Sequence, residues 1–334
     1  MRSRLIGSLL LVAAVGLVAG CAPQASTPPP TTSPSASADA QEPEPAPTAT
    51  PAAAEVPFDG DCSQLLSVDD LVDLLGEGTQ AVGSDRSSPQ AVLYQAQLHA
   101  SGGMSCQWSG IGGTISVSVL PSAIVPEAVV AENDTVTCGP DQTCDAAVTA
   151  GENWLSVSAP TEDAVKSLLA NVGARLIDAG SSRAAEYPPG SWALPSCAEV
   201  ATRAAAAAGW TDPTEGYPSD VNPSGHVNAV LTAHGALGYC GLGADGKAAR
   251  VVVMPGFAAA ELPDLGLEPM EVPGADAAYL TEGEAGPGVY ATEGDNTVLV
   301  TGSSSVTTAE LTDIAAAMIR DATPRPTPSP EEGE

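Results

Sequence analysis

A cysteine-framed pattern is written twice along this chain, and few folds can carry it without building one unit two times. "DCSQLLSVDDLVDLLGEG" (61–78) and "SCAEVATRAAAAAGWTD" (196–212) each open on a cysteine, run through a short helical pattern and stop at Gly76 or Gly209. "SCQWSGIGGTISVSVLP" (105–121) and "YCGLGADGKAARVVVMP" (239–255) each place a cysteine before a Gly-containing turn, an alternating or β-branched run and a proline. Cys62 leads Cys106 by 44 positions and Cys197 leads Cys240 by 43. Of the 15 ways to pair six cysteines, the repeat therefore selects Cys62–Cys106 and Cys197–Cys240, leaving Cys138–Cys144 as a small extra loop. In a chain-entropy account each long loop stabilises by roughly 4 kcal/mol and the short one by about 2 kcal/mol.

The ends of the two copies agree as well. "GENWLSVSAPTEDAVKSLLANVGARL" (151–176) and "GDNTVLVTGSSSVTTAELTDIAAAMI" (294–319) each read as a turn, a strand, a polar N-cap and an amphipathic helix. Val165, Leu168, Leu169, Val172 and Leu176 form the apolar stripe of the first helix, and Leu311, Ile314, Met318 and Ile319 that of the second. Thr307 and Glu310 have the spacing of a capping box. "DAA" recurs at 145–147 and 276–278, and "YLTEGEAGPGVY" in the second copy reads as one added hairpin.

The fold class expected is α+β, in two tandem modules. Each is an antiparallel sheet packed by an N-terminal and a C-terminal helix, with a long loop after the first helix and disulfide bracing. The first module spans 57–179 and the second 193–322, with "GSSRAAEYPPGSW" (180–192) as a linker. With 4 Trp, 6 Tyr and 2 Phe, the cores must be built mostly from Leu, Val, Ile and Ala.

Ahead of these modules Arg2 and Arg4 precede an uncharged run, Leu5 to Ala19, and then Gly20 and Cys21. A positive segment, a short apolar run and small residues make an export signal over 1–20; the run is shorter than the ~20 residues a spanning helix needs. Val18-Ala19-Gly20-Cys21 resembles the lipobox of bacterial lipoproteins, in which that cysteine is diacylated, by palmitate-type chains, and becomes the new N-terminus. Two or more acyl chains anchor stably where one holds marginally. Residues 21–56 then form a lipidated, Pro/Ser/Thr/Ala-rich tether, and 323–334 a tail of similar character. Neither segment has enough apolar content to offset the entropy of ordering.

The formal net charge is −30, and loss of Arg2 and Arg4 with the signal makes the mature chain more acidic still. Such a surface argues against nucleic acid as a partner, since phosphate recognition needs clustered Lys and Arg. Most of the carboxylates read as a solvated surface. Six cysteines beyond Cys21, an even number in an exported chain, fit three disulfides.

The sequence "DCSQLL…LLG…C.W…ISVSV", followed by "DAA" and a late amphipathic helix, resembles a group of uncharacterised lipoproteins of actinobacteria. The resemblance rests on Cys62, Cys106 and Trp108 over 61–176 and is looser over 196–319, where Leu242 stands in place of the tryptophan. The sparse lysines, Lys166 and Lys247 alone, fit a high-GC genome. The resemblance implies location and architecture but brings no chemistry.

Nor does any motif. His99, His226 and His234 lie in no metal-ligand spacing, and the latter two read as surface loop or strand residues. "GGMSCQ" (102–107) lacks the second glycine of a nucleophile elbow, Asp163 stands where S-x-x-K before Lys166 would need serine, and the cysteines have disulfide partners. "DGDCSQ" (59–64) lacks the glycine and closing Glu of a calcium loop. Asp69, Asp70 and Asp73 fall in the first turns of a helix capped by Ser67, where negative charge suits the dipole. "GLGADG" (241–246) reads as a tight hairpin, and Trp210 and Tyr217 as exposed aromatics at a core edge. No cofactor or metal site is expected.

The expectation is a lipid-anchored protein on the outer face of the cell membrane, non-enzymatic, binding an envelope protein, a wall component or a small apolar ligand. The alternatives are a carrier holding a lipid or other apolar molecule between sheet and terminal helix, and a hydrolase whose site is assembled from distant residues.

Overall fold

A computed structural model describes residues 52–82, 89–140, 143–215, 225–283 and 286–326. Cys21, the export signal, the tether through residue 51 and Tyr217 lie outside the described residues. The first module runs α1 (Cys62–Leu65), α2 (Val68–Leu75), β1 (Gln80–Val82), α3 (Pro89–Ala100), β2 (Met104–Gly110), β3 (Gly113–Pro121), α4 (Glu127–Asn133), β4 (Thr137–Cys138), β5 (Cys144–Ala150), β6 (Asn153–Ala159) and α5 (Glu162–Ala179). The second runs α6 (Cys197–Ala208), β7 (Thr214–Glu215), α7 (His226–His234), β8 (Gly238–Ala244), β9 (Lys247–Met254), a 3-10 segment (Ala259–Leu265), β10 (Glu268–Met270), β11 (Ala277–Gly283), β12 (Gly286–Glu293), β13 (Asn296–Gly302) and α8 (Thr308–Arg320).

The α+β reading holds, and the two sheets share one topology. The six-stranded sheet has the order β1-β2-β3-β6-β5-β4, and the seven-stranded sheet, read in the same direction, β7-β8-β9-β13-β12-β11-β10. Every pairing is antiparallel. Matching β2 with β8, β3 with β9, β5 with β12 and β6 with β13 leaves β10 as the one added strand. This equivalence corrects one sequence match: "DAA" at 145–147 lies in β5, whereas 276–278 enters β11, whose counterpart is β4. "YLTEGEAGPGVY" forms a hairpin, β11 against β12, but not the added one expected from the sequence: it is the counterpart of β4–β5, and the addition is β10.

Local chemistry sets the element boundaries. Capping boxes start α2 (Ser67 with Asp70), α6 (Ser196 with Glu199) and α8 (Thr307 with Glu310), each satisfying otherwise orphaned backbone donors. The β8–β9 hairpin turns on Asp245 and Gly246, both at positive φ (53° and 75°), as a two-residue Asp-Gly turn requires. The three disulfides join Cys62–Cys106, Cys138–Cys144 and Cys197–Cys240, the first and third closing separations of 44 and 43 residues.

Each sheet buries its outer face under its own terminal helices. In the first module Ile115, Val117, Val119, Leu155 and Val157 pack against Leu71 and Leu75 of α2 and against Val165, Leu168, Val172 and Leu176 of α5. In the second, Val251, Val253, Val298 and Val300 meet Val200 and Ala204 of α6 and Leu311, Ile314 and Met318 of α8. The two inner faces share a third core that crosses between the modules: Leu93 and Leu98 of α3, Leu120 and Trp154 of the first sheet, Val230 and Leu231 of α7, and Val252, Tyr290 and Leu299 of the second sheet. Contacts are reciprocal, α3 touching the 3-10 segment of the second module and α7 touching its counterpart α4 in the first. The arrangement is that of a two-fold dimer drawn as one chain. Gln97 of α3 staples it, its buried Nε2 donating to the carbonyls of Ala236 (2.6 Å) and Pro255 (2.8 Å).

The helices α3 and α7 stand where the sequence suggests only a long loop, and His226 and His234 are the first and last residues of α7 rather than surface loop or strand. Segments expected as tether, linker and tail take part in the fold. Glu55 bridges Arg183, and Trp192 bridges Pro324, so each module closes by pairing the chain entering it with the chain leaving it. Asn153 and Asn296, equivalent residues opening β6 and β13, fix these clasps through Gly180 and Ser182, and through Gly190 and Trp192. The fold thus reaches beyond 57–179 and 193–322 at both ends.

Candidate functional site

The inner faces of the two sheets have the same register and opposite chemistry. Across β3 and β6, Ser116 faces Ser158 and Ser118 faces Ser156. The equivalent pairs across β9 and β13 are Arg250 with Thr301 and Val252 with Leu299. Extending the second row to the flanking strands gives Ser105, Ser118, Ser156 and Ala147 in the first module. In the second it gives Tyr239, Val252, Leu299 and Tyr290. Large side chains fill the space above one sheet; small hydroxyls leave it open above the other.

The result is a cleft of about 490 Å³ between the modules. Its floor is Ser116, Ser118, Ser156 and Ser158, all half-buried, with Asp145 beside Ser158 on β5. Tyr94 of α3 forms one wall, and the first turn of α7, from Gly225 to Asn228, forms the other. The site is therefore assembled from both modules. Burial pushes the Tyr94 phenol up to about 12, so it is neutral and able to donate at any physiological pH. Ser118 also exchanges a hydrogen bond with Ser105 across β2 and β3 (2.9 Å). Hydroxyls that both donate and accept, one carboxylate and one phenol make this a surface for reading polar groups.

A second space, of about 220 Å³, opens at the ends of α6 and α8, where Trp192, Leu194, Val253 and Met318 meet Glu199 and Arg203. It lies between sheet and terminal helix, the place expected of a carrier cavity, but is smaller than the 300–1,000 Å³ typical of ligand pockets. Elsewhere that layer is filled, Val165, Leu168, Leu311 and Ile314 being fully buried.

The other residues singled out in the sequence have structural places. Ser105 is the second residue of β2, which runs into the β2–β3 hairpin, and not a strand-to-helix elbow. Asp69 and Asp70 fall in the first turn of α2. Asp70 is held down to about 2, first by Ser67 of its capping box and then by Arg175, which also donates to the Leu65 carbonyl (2.7 Å). Trp210 is buried at 7 % exposure, and its indole N–H donates to Glu310 (2.8 Å). Lys247, the backbone of Thr307 and this indole together hold the Glu310 carboxyl at about 2. Among the histidines only His226 reaches the cleft. His99 lies beside Gly60, and His234, its pKa lowered by burial and then by Arg325, makes a tilted ring contact with Tyr187. Among the described residues no group of three or more His, Cys, Asp or Glu is placed to hold a metal ion, and no helix is long and apolar enough to cross a membrane.

The cleft itself is not anticipated by any motif. Its sequence signal is the alternation "ISVSV" and "WLSVSA", whose serines stand where the second copy has Arg250, Val252, Leu299 and Thr301. Comparison of the chain with protein-family models, with curated proteins and with solved structures finds no match.

Proposed function

We propose that this protein is a lipid-anchored, extracytoplasmic binding protein that holds a ligand in the cleft between its modules and performs no chemistry on it. The anchor reading draws on the charged start, the short apolar run and Gly20-Cys21, and the three disulfides fit an oxidising compartment outside the cytoplasm. The binding reading is carried by one observation: a duplicated fold whose second copy packs this face with Tyr239, Val252, Leu299 and Tyr290, whereas the first keeps serines and an opening of about 490 Å³. That volume lies within the ordinary range for small-molecule sites, and clefts between packed units are common places for them.

The binding half is tested by thermal shift of the full chain in detergent against a mixed library of small metabolites, alongside Ser118→Val/Ser156→Leu. The expected result is at least one compound class that raises the melting temperature of the wild type but not of the double variant. A library that stabilises neither chain, or both equally, overturns the reading. The anchor half is tested by Cys21→Ser, which should release the protein from membranes and abolish incorporation of labelled palmitate. Retention of both would contradict it.

A further inference from the structure

Resting on that reading of the cleft, we infer that its ligand is a neutral saccharide, bound through ring hydroxyls to the serine floor and to Asp145. Three observations point to this class.

The first is the layout of the floor. Ser116/Ser158 and Ser118/Ser156 are two directly opposed cross-strand pairs, two residues apart on each strand. Strands lie about 4.8 Å apart and residues i and i+2 about 6.8 Å apart. The four serine positions therefore mark the corners of a grid about 5 Å by 7 Å, the scale of one six-membered ring with its substituents. A serine hydroxyl donates one hydrogen bond and accepts others, and so does a sugar hydroxyl. Such a grid can meet each without leaving a buried donor or acceptor unpaired, which is the costly outcome.

The second is charge. Asp145 contributes the one carboxylate of the lining, next to the Ser158 corner. An ionised carboxylate is acceptor-only and takes two donors side by side, as a vicinal diol presents them. No lysine or arginine lines the cleft among the described residues, so a phosphorylated or sulfated ligand would face Asp145 with only His226 and the N-terminal turn of α7 to offset the repulsion.

The third is the wall. Tyr94 brings an aromatic ring to a cleft whose floor is small and polar, with His226 and Val227 on the facing wall. A pyranose carries its C–H groups on a face that packs on such a ring, while the hydroxyls at its edge stay free for the floor. A fatty chain would leave the serines unpaired, and a wholly ionic ligand would not use the ring.

Isothermal titration of the full chain in detergent tests this class. The probes are glucose, galactose, mannose, N-acetylglucosamine and maltose, with glucose 6-phosphate, alanyl-alanine and palmitate as other chemistries. The expected result is saturable binding of at least one neutral sugar, weakened at least tenfold in Ser118→Val/Ser156→Leu and in Asp145→Asn. Glucose 6-phosphate should bind more weakly than glucose. Retention on a dextran matrix then separates a polymeric glycan from a free sugar as the source. The double variant copies Val252 and Leu299 of the sister module and is expected to fold; Ser116→Ala/Ser158→Ala is the second variant if it does not. If no sugar binds but alanyl-alanine or palmitate does, and the serine variants weaken it, the saccharide class falls while the cleft remains a binding site. If a sugar binds and the serine variants leave its affinity unchanged, the inference is overturned. If no probe depends on these serines, cleft and ligand class fall together.

Discussion

The two modules share strand order, disulfide position, capping and terminal clasps, yet one pair of inner-face positions is core in the second and lines a cleft in the first. In the second module Val252, Leu299 and Tyr290 are at most 3 % exposed and belong to the core that joins the modules. In the first, Ser118 and Ser156 occupy the same register and line a cleft. Duplication supplies each copy with a face the other can cover. Once one copy supplies enough apolar surface to hold the pair together, the other is free to carry polar groups. Topology alone therefore does not decide which face of a sheet is core; side-chain size along a single cross-strand row does.

Making the second face like the first should be the most damaging change. Val252→Ser/Leu299→Ser deletes buried apolar volume and leaves hydroxyls in a dry core, at a cost of roughly 5 kcal/mol or more. Urea unfolding of the variant should show a midpoint far below that of the wild type. Loss of either long disulfide comes next. Cys62→Ala/Cys106→Ala and Cys197→Ala/Cys240→Ala remove bonds that close nearly equal loops and should each destabilise by about 4 kcal/mol. A marked inequality in their denaturation midpoints would show that the copies are not energetically equivalent.

Gln97→Leu acts at the seam between the modules. It removes two buried donations and strands the carbonyls of Ala236 and Pro255, an expected loss of about 3 kcal/mol. Because the staple crosses between modules, the unfolding curve should also lose cooperativity, read as separation of circular-dichroism and tryptophan-fluorescence transitions. A smaller effect depends on acid. The Glu310 carboxyl is lowered from 4.5 to about 2, so its contribution is full above pH 4.5 and disappears as the pH falls towards 2. Glu310→Gln should therefore be less stable than wild type at neutral pH, with the gap in melting temperature closing across that window. Smallest of all, Ser118→Val/Ser156→Leu should stay within about 1 kcal/mol of wild type in the same urea assay, since the cleft has room for the added atoms and the burial they gain is modest.

Much of this fold was legible in the sequence because its cues are local or repeated. Capping residues such as Ser67 and Thr307, the Asp245-Gly246 turn and the strand alternation each carry their own physics, and the cysteine spacing exposed the duplication. The helix α3 was not legible. Leu93, Gln97 and Leu98 are buried between modules, so "PQAVLYQAQLHA" shows no simple two-sided pattern and buries a glutamine for partners roughly 140–160 residues away. The clasps at Glu55–Arg183 and Trp192–Pro324 were hidden for a similar reason, since Pro- and Ser-rich composition marks a segment unable to fold alone without showing what it can pair with. The serine cleft lay between these cases. Its residues were visible as the outward positions of two strands, but an outward position becomes a cleft only when the other module roofs it.

Hydrogen–deuterium exchange of the full chain, with and without the neutral sugar that binds most tightly in the titration, tests the asymmetry of the two faces most directly. Added protection is expected over β3 and β6 around 116–118 and 156–158, and at the start of α7, with no change over 250–252 and 299–301. Equal protection of both sheets, or protection confined to the space beside Trp192, would contradict that asymmetry.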